Sequence, residues 1–179
     1  MKKFVFAALA VVLFGSVNAQ DTKYGIKAGF NSTSLRASND GVSASTGLSG
    51  FYIGSFAEFG LSSAFAIQPE LQAVIVSEEG ENSTFLVLPV LAKYKPTEQF
   101  GVFAGPQFDY LLDEENGILK RFGLGFAVGA GYDITEKIFV DTRYSFGLSD
   151  RIDDEIEFDG GDDPSIKFNF FQVGLGYRF

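Results

Sequence analysis

Four glycines in RFGLGFAVGAGYD, at Gly123, Gly125, Gly129 and Gly131, offer the first candidate for chemistry. Their spacing contains G-x-G-x-x-x-G, which suggests a phosphate loop. A phosphate loop puts its glycines in a turn between strand and helix, so that backbone N–H groups converge on an anion. Here the next residues, DITEK, read as a short turn into another strand. Every even residue from Phe122 to Tyr132 is apolar, and every odd one is Gly or Ala. That is the two-residue period of a strand with two unlike faces.

A second candidate is a set of charged and amide residues at alternate positions elsewhere. Glu58, Glu70, Asp109 and Asp141 could do acid–base chemistry, but Lys27, Lys93, Arg143 and Arg178 fall on the same class of face. Four acids balanced by four bases imply mutual pairing, because an unpaired charge is costly away from water. A third candidate, DRIDDEIEFDGGDD (150–163), carries eight acids and one Arg. Its Glu155-x-Glu157-x-Asp159-Gly160 looks calcium-like, yet the twelfth loop position is Ile166, where a calcium loop needs Glu. The segment reads as a solvated acidic loop with room for weak divalent-cation binding. Asn31 and Asn82 each open an NST triplet; both are read as ordinary loop-edge residues.

Composition removes much other chemistry. The 179 residues include no Cys and no His. Disulfides, thiolate metal sites, cysteine nucleophiles and His-based catalytic arrangements are therefore excluded. The expectation is a protein without catalysis, without a metal centre and without a cofactor. The first residues, MKK, then FVFAALAVVLF, then GSVNAQ, have the three parts of a secretory signal peptide cleaved after Ala19. This divides the chain into a signal peptide, 1–19, and one domain, 20–179. The mature chain has 12 bases against 23 acids, net −11. That balance argues against nucleic acid as a partner.

The alternation recurs along the mature chain. Tyr24, Ile26, Ala28 and Phe30 oppose Gly25, Lys27, Gly29 and Asn31. Phe65, Ile67, Pro69, Leu71, Ala73 and Ile75 oppose Gln68, Glu70 and Gln72. Ile138, Val140, Thr142, Tyr144 and Phe146 oppose Asp141, Arg143, Ser145 and Gly147. Similar segments run over 50–59, 85–95, 100–111 and 170–179, where Tyr52 and Phe56 blur the pattern by falling on the polar parity. Eight segments of about ten residues match the length of transmembrane strands. Their connections alternate. GLSSA (60–64), PTEQ (96–99) and DITEK (133–137) are short; 36–48, 77–83, 112–120 and 149–166 are longer and mostly acidic. Short turns on one rim and long loops on the other characterise an outer-membrane barrel, and place both chain ends on the short-turn side. Pro69, Pro89 and Pro106 fall inside strands, which predicts local bulges.

These observations predict an all-β fold: an eight-stranded, antiparallel, transmembrane up-and-down β-barrel in the outer membrane of a Gram-negative bacterium. The segments GFYIGSFAEFGLSSAFAIQPEL, LPVLAKYKP, FGVFAGPQFDYLL, GFAVGAGYDI, IFVDTRYSFGLSD and the terminal VGLGYRF together resemble the PorT-like outer-membrane β-barrel family. The resemblance covers nearly all of 22–179 and implies a porin-family label. In such barrels a final strand ending in Phe, with aromatics at alternate positions, is the signal read by the barrel-insertion machinery. Here that implies Leu175, Tyr177 and Phe179.

The expected function is a small integral outer-membrane barrel with a plugged or very narrow polar lumen, in a structural, surface-interaction or porin-like role. The lumen charge network is expected from Lys27, Glu58, Glu70, Lys93, Asp109, Asp141, Arg143 and Arg178. The expected partners are outer-membrane lipid and the insertion machinery, with the barrel itself a monomer. The alternative is a soluble periplasmic barrel that binds an apolar ligand inside, as lipocalins do. That alternative requires the Phe-rich parity to face inward.

Overall fold

A computed structural model describes residues 22–39, 42–78, 81–112, 120–152 and 165–179. The expected signal peptide, 1–19, and most of the acidic segment 150–163 lie outside the described residues. Alternating parity, with β-branched and aromatic residues on one face, makes each segment a strand. The strands are β1 (Thr22–Asn39), β2 (Val42–Gly60), β3 (Phe65–Glu78), β4 (Glu81–Tyr94), β5 (Phe100–Leu111), β6 (Phe122–Asp133), β7 (Ile138–Gly147) and β8 (Ser165–Arg178). Each pairs antiparallel with its sequence neighbours, and β1 pairs with β8 to close the barrel. Closure satisfies the ladder groups that an open sheet leaves free, which is why strands can cross lipid at all.

The described parts of two stretches read as loops, 36–48 and 77–83, are strand. β1 runs to Asn39 and β2 starts at Val42, with Ser38 opposite Ser43 in the ladder. Likewise β3 continues to Glu78 and β4 begins at Glu81. Sparse, mostly small apolar residues among Ser, Thr and Asn on β1 and β2, and the acidic run SEEGENS between β3 and β4, hid these extensions. At the opposite rim the turns are as short as expected. Leu61 N–H donates to Phe65 O at 2.8 Å, and Ile134 N–H donates to Ile138 O at 2.9 Å.

The prolines do not make bulges. β3 and β4 pair at Pro69↔Val90 and resume at Gln72↔Val87, three residues later on each strand. β4 and β5 pair at Pro89↔Gln107 and resume at Ala92↔Ala104, again three and three. A bulge inserts an extra residue on one side; here the register is unchanged and only the pairing lapses. The missing Pro N–H accounts for this directly. Pro69, Pro89 and Pro106 sit on adjacent strands, so these gaps lie close together in one part of the wall.

Parity holds through the wall. On β5 and β6, exposed and buried residues alternate, with Phe100, Val102, Phe122, Leu124 and Phe126 facing out and Gly101, Gln107, Gly123 and Gly125 facing in. The outer face is apolar: Phe51 is 72% exposed, Ile53 61% and Leu175 56%. The inner face holds the charges. This is the reverse of what the lipocalin alternative requires, and it removes that alternative.

Candidate functional site: the barrel lumen

All eight charged residues expected in the lumen face the interior, and none is more than 7% exposed. They are brought together by register across strands. At mid-height, Glu70 accepts from Nη1 and Nη2 of Arg143, at 3.0 and 2.8 Å, and lies 3.4 Å from Lys27 Nζ. Lys27 also reaches Asp141 at 2.5 Å, and the Tyr52 hydroxyl donates to Asp141 at 3.5 Å. Gln68 and Gln72 donate to the two oxygens of Glu70 at 2.8 and 2.6 Å. Glu70 therefore has hydrogen bonds to both oxygens, the arrangement that makes a buried carboxylate tolerable.

A second group lies nearer the short-turn rim. Lys93 donates to Glu58 at 2.7 Å and to the Gln68 carbonyl oxygen at 3.3 Å. Gln68 thus joins the two groups. At the rim itself, Asp133 accepts from Arg178 at 2.8 Å and from Lys95 at 2.7 Å. Between these groups lies about 10 Å³ of space bordered by Gln68, Lys93, Phe103, Asp133, Phe139 and Asp141. That is room for about one water molecule.

Asp109 stands apart from the other seven. Its partner is Arg151, which lies just beyond β7 on the long-loop side. Arg151 also donates to the backbone oxygens of Lys120 and Arg121, at 3.0 and 3.1 Å. Beside it, burial would raise the carboxyl of Asp150. N–H groups of Ile166 and Ile152 outweigh that effect and hold the Asp150 pKa below its ordinary value.

Sequence reasoning missed three kinds of participant. Asp133 and Arg151 sit at strand ends or in connections, where parity gives no direction. The inward aromatics were hidden because they share a parity with Gln, Lys and Gly. They supply ring faces for the lumen cations. The cations lie over ring centroids as follows: Arg143 over Phe103 at 5.2 Å, Arg178 over Phe139 at 4.4 Å, Arg151 over Phe168 at 5.1 Å and Lys27 over Tyr52 at 5.8 Å. Each of these cations thus has a carboxylate on one side and a ring on another.

The glycine track has a matching cause. A Cβ at Gly129 would strike the Phe103 ring, and one at Gly123 would strike the Arg151 guanidinium. Gly125 differs: the three atoms nearest to such a Cβ are all backbone, the closest being the Phe146 oxygen at 2.8 Å. Asn31, read as a loop-edge residue, is instead fully buried inside the barrel, where its amide donates to Thr33 at 2.8 Å.

Toward the long-loop rim the filling changes. Tyr52, Val74, Val76, Phe85, Val87, Leu111, Phe168 and Phe170 form one buried cluster. Phe85 meets Phe168 and Phe170 edge-on, at 5.6 and 5.7 Å between centroids. On the outer wall, Leu175, Tyr177 and Phe179 all face away from the lumen at the end of the chain, and Phe179 is 73% exposed.

The family described as "Outer membrane protein beta-barrel domain" matches residues 4–179. The chain belongs to this outer-membrane β-barrel family. Its place is therefore the outer membrane, with the apolar face toward lipid. No match is found among curated proteins. Among solved structures, the chain is similar to Ail, the attachment invasion locus protein of Yersinia pestis, with TM-score 0.51 and 14% identity over 89% of this chain and 100% of that one. It is also similar to the Neisserial surface protein A, with TM-score 0.50 and 14% identity over 87% and 97%. At such identities the likeness is one of fold. In the family's usual orientation the short turns are periplasmic and the long loops face outward.

Proposed function

We propose that this outer-membrane barrel is sealed to ions and solutes, and serves as a membrane-embedded scaffold for its acidic outer loops rather than as a channel or a catalyst. One observation carries the reading. Lys27, Glu70, Asp141 and Arg143 form a single interlocked ion-pair group across mid-barrel, with every side chain 4% exposed or less. An eight-stranded barrel has an interior just wide enough for side chains to fill. Beyond the ionic group lies the apolar cluster, so an ion crossing the barrel meets paired charge and then a dry layer. The absence of His and Cys and the balance of acids and bases support a role without catalysis. The PorT-like resemblance is consistent with this, as is a monomer whose partners are membrane lipid and, through Leu175, Tyr177 and Phe179, the insertion machinery.

Planar-bilayer recording tests the proposal. The wild-type protein is expected to give a closed trace, and Glu70→Ala to give discrete openings as Lys27 and Arg143 lose their shared partner. Steady large conductance from the wild type would contradict the sealed lumen and favour a narrow pore.

A further inference from the structure

The outer wall carries a charge feature that the lumen does not explain. Arg36 on β1 and Lys167 on β8 are directly opposite each other in the ladder. Both have the outward parity of Phe30 on β1 and of Phe171 and Val173 on β8. Like charges directly opposite one another destabilise a sheet. Every acid–base group described above avoids that arrangement, and the chain as a whole is strongly acidic. Among the described residues, neither Arg36 nor Lys167 has a hydrogen-bond or ion-pair partner for its side chain.

Height along the barrel adds a second constraint. A tilted strand crosses the apolar layer in about 9–11 residues. Tyr24 and Tyr177 mark the short-turn interface on β1 and β8. Counting outward from them, Arg36 is 12 positions along and Lys167 is 10. Both cations therefore stand where the outer-leaflet head groups begin. Below them the same face descends through Ser34 opposite Asn169, then Ser32 opposite Phe171. Next come Phe30 and Phe51, 42% and 72% exposed, in edge-on contact at 6.5 Å. The surface thus runs from paired cations, through small hydroxyl and amide groups, to exposed rings.

We infer that Arg36 and Lys167 form a binding site for a phosphate monoester, supplied by the head group of an outer-leaflet lipid. A doubly charged phosphate between the two cations converts their repulsion into two charge-assisted contacts. The hydroxyl and amide groups of Ser34, Ser32 and Asn169 suit the polar region beneath a head group, and the rings suit its acyl chains. Basic residues at a membrane surface each strengthen binding to anionic lipid several-fold. This inference rests on the membrane placement and is independent of whether the lumen is sealed.

The test uses the mature protein in phosphatidylcholine nanodiscs doped with phosphatidic acid, with retained lipid counted by native mass spectrometry. The wild type is expected to retain phosphatidic acid in preference to phosphatidylcholine and to diacylglycerol. Arg36→Gln/Lys167→Gln is expected to reduce that preference about tenfold. Arg121→Gln, an exposed cation beside β6, is expected to leave it unchanged. Heat-modifiable gel mobility checks that each variant is folded. An excess of inorganic phosphate that leaves the lipid bound assigns the site to the head group. Displacement by millimolar inorganic phosphate would overturn the lipid source and assign the site to a soluble anion. A wild type with no preference for phosphatidic acid, or a folded double variant that keeps it, would overturn the inference.

Discussion

The two halves of the lumen are filled by different physics. Toward the short-turn rim, charged side chains hold one another: Glu70 with Arg143 and Lys27, Glu58 with Lys93, and Asp133 with Arg178. Toward the long-loop rim, Val74, Val76, Phe85, Val87 and Phe170 fill the space by shape alone, and Arg151 with Asp109 is the ion pair set among them. The ionic half is costly to break at one partner, because a buried charge is left behind. The apolar half loses stability in proportion to the volume removed. The difference teaches that a small barrel can be filled either way, but that only the ionic filling fixes specific partners.

Breaking one partner in the ionic half should have the largest effect. Arg143→Ala leaves Glu70 buried beside a single remaining cation. It is expected to destabilise the barrel by about 4 kcal/mol in urea unfolding from lipid vesicles. Glu70→Leu/Arg143→Leu removes both charges and should recover most of that loss. If the double variant is as unstable as the single one, the pair is not what holds this half together.

In the apolar half, Phe85→Ala should cost about 3 kcal/mol by the same measurement, from lost contact and the cavity beside Phe168 and Phe170. Here no second deletion should rescue the first. Rescue by Phe168→Ala would mean that this layer behaves as a specific pair, and the contrast between the halves would fail.

The smallest effect belongs to the rim. The side chains of Lys95 and Asp133 are 22% and 15% exposed, and Asp133 keeps Arg178 as a partner. Lys95→Ala should change stability by less than about 1 kcal/mol and should respond to salt. A loss as large as that of Arg143→Ala would place the boundary of the buried ionic half at the rim.

Much of this is legible in the sequence. Alternation alone settles that β6 presents Phe122, Leu124 and Phe126 to one side and glycine to the other, because side chains on a strand have no other choice. The same rule separates Lys27, Glu70, Asp141 and Arg143 from the lipid face, since an unpaired charge there is too costly. Strand ends were less legible. At the tips of β1 and β2 the alternation rests on few and mostly small residues, Leu35 and Ala37 on one and Val42, Ala44 and Leu48 on the other, and prolines that interrupt pairing look like bulges until the register is seen.

What folding decided is who meets whom. Lys27 and Asp141 are 114 residues apart, and Glu70 and Arg143 are 73 apart. No local spacing encodes those pairs; they follow from closure of β1 on β8 and from the accumulated register around the wall. The role of Phe103 and Phe139 is also tertiary. By sequence they violate a polar face; in the closed barrel they are the rings beneath Arg143 and Arg178. Arg151 enters from beyond β7 into space that Gly123 leaves open. Parity is a property of one strand and can be read along the chain. Pairing inside a closed barrel is a property of all eight strands at once.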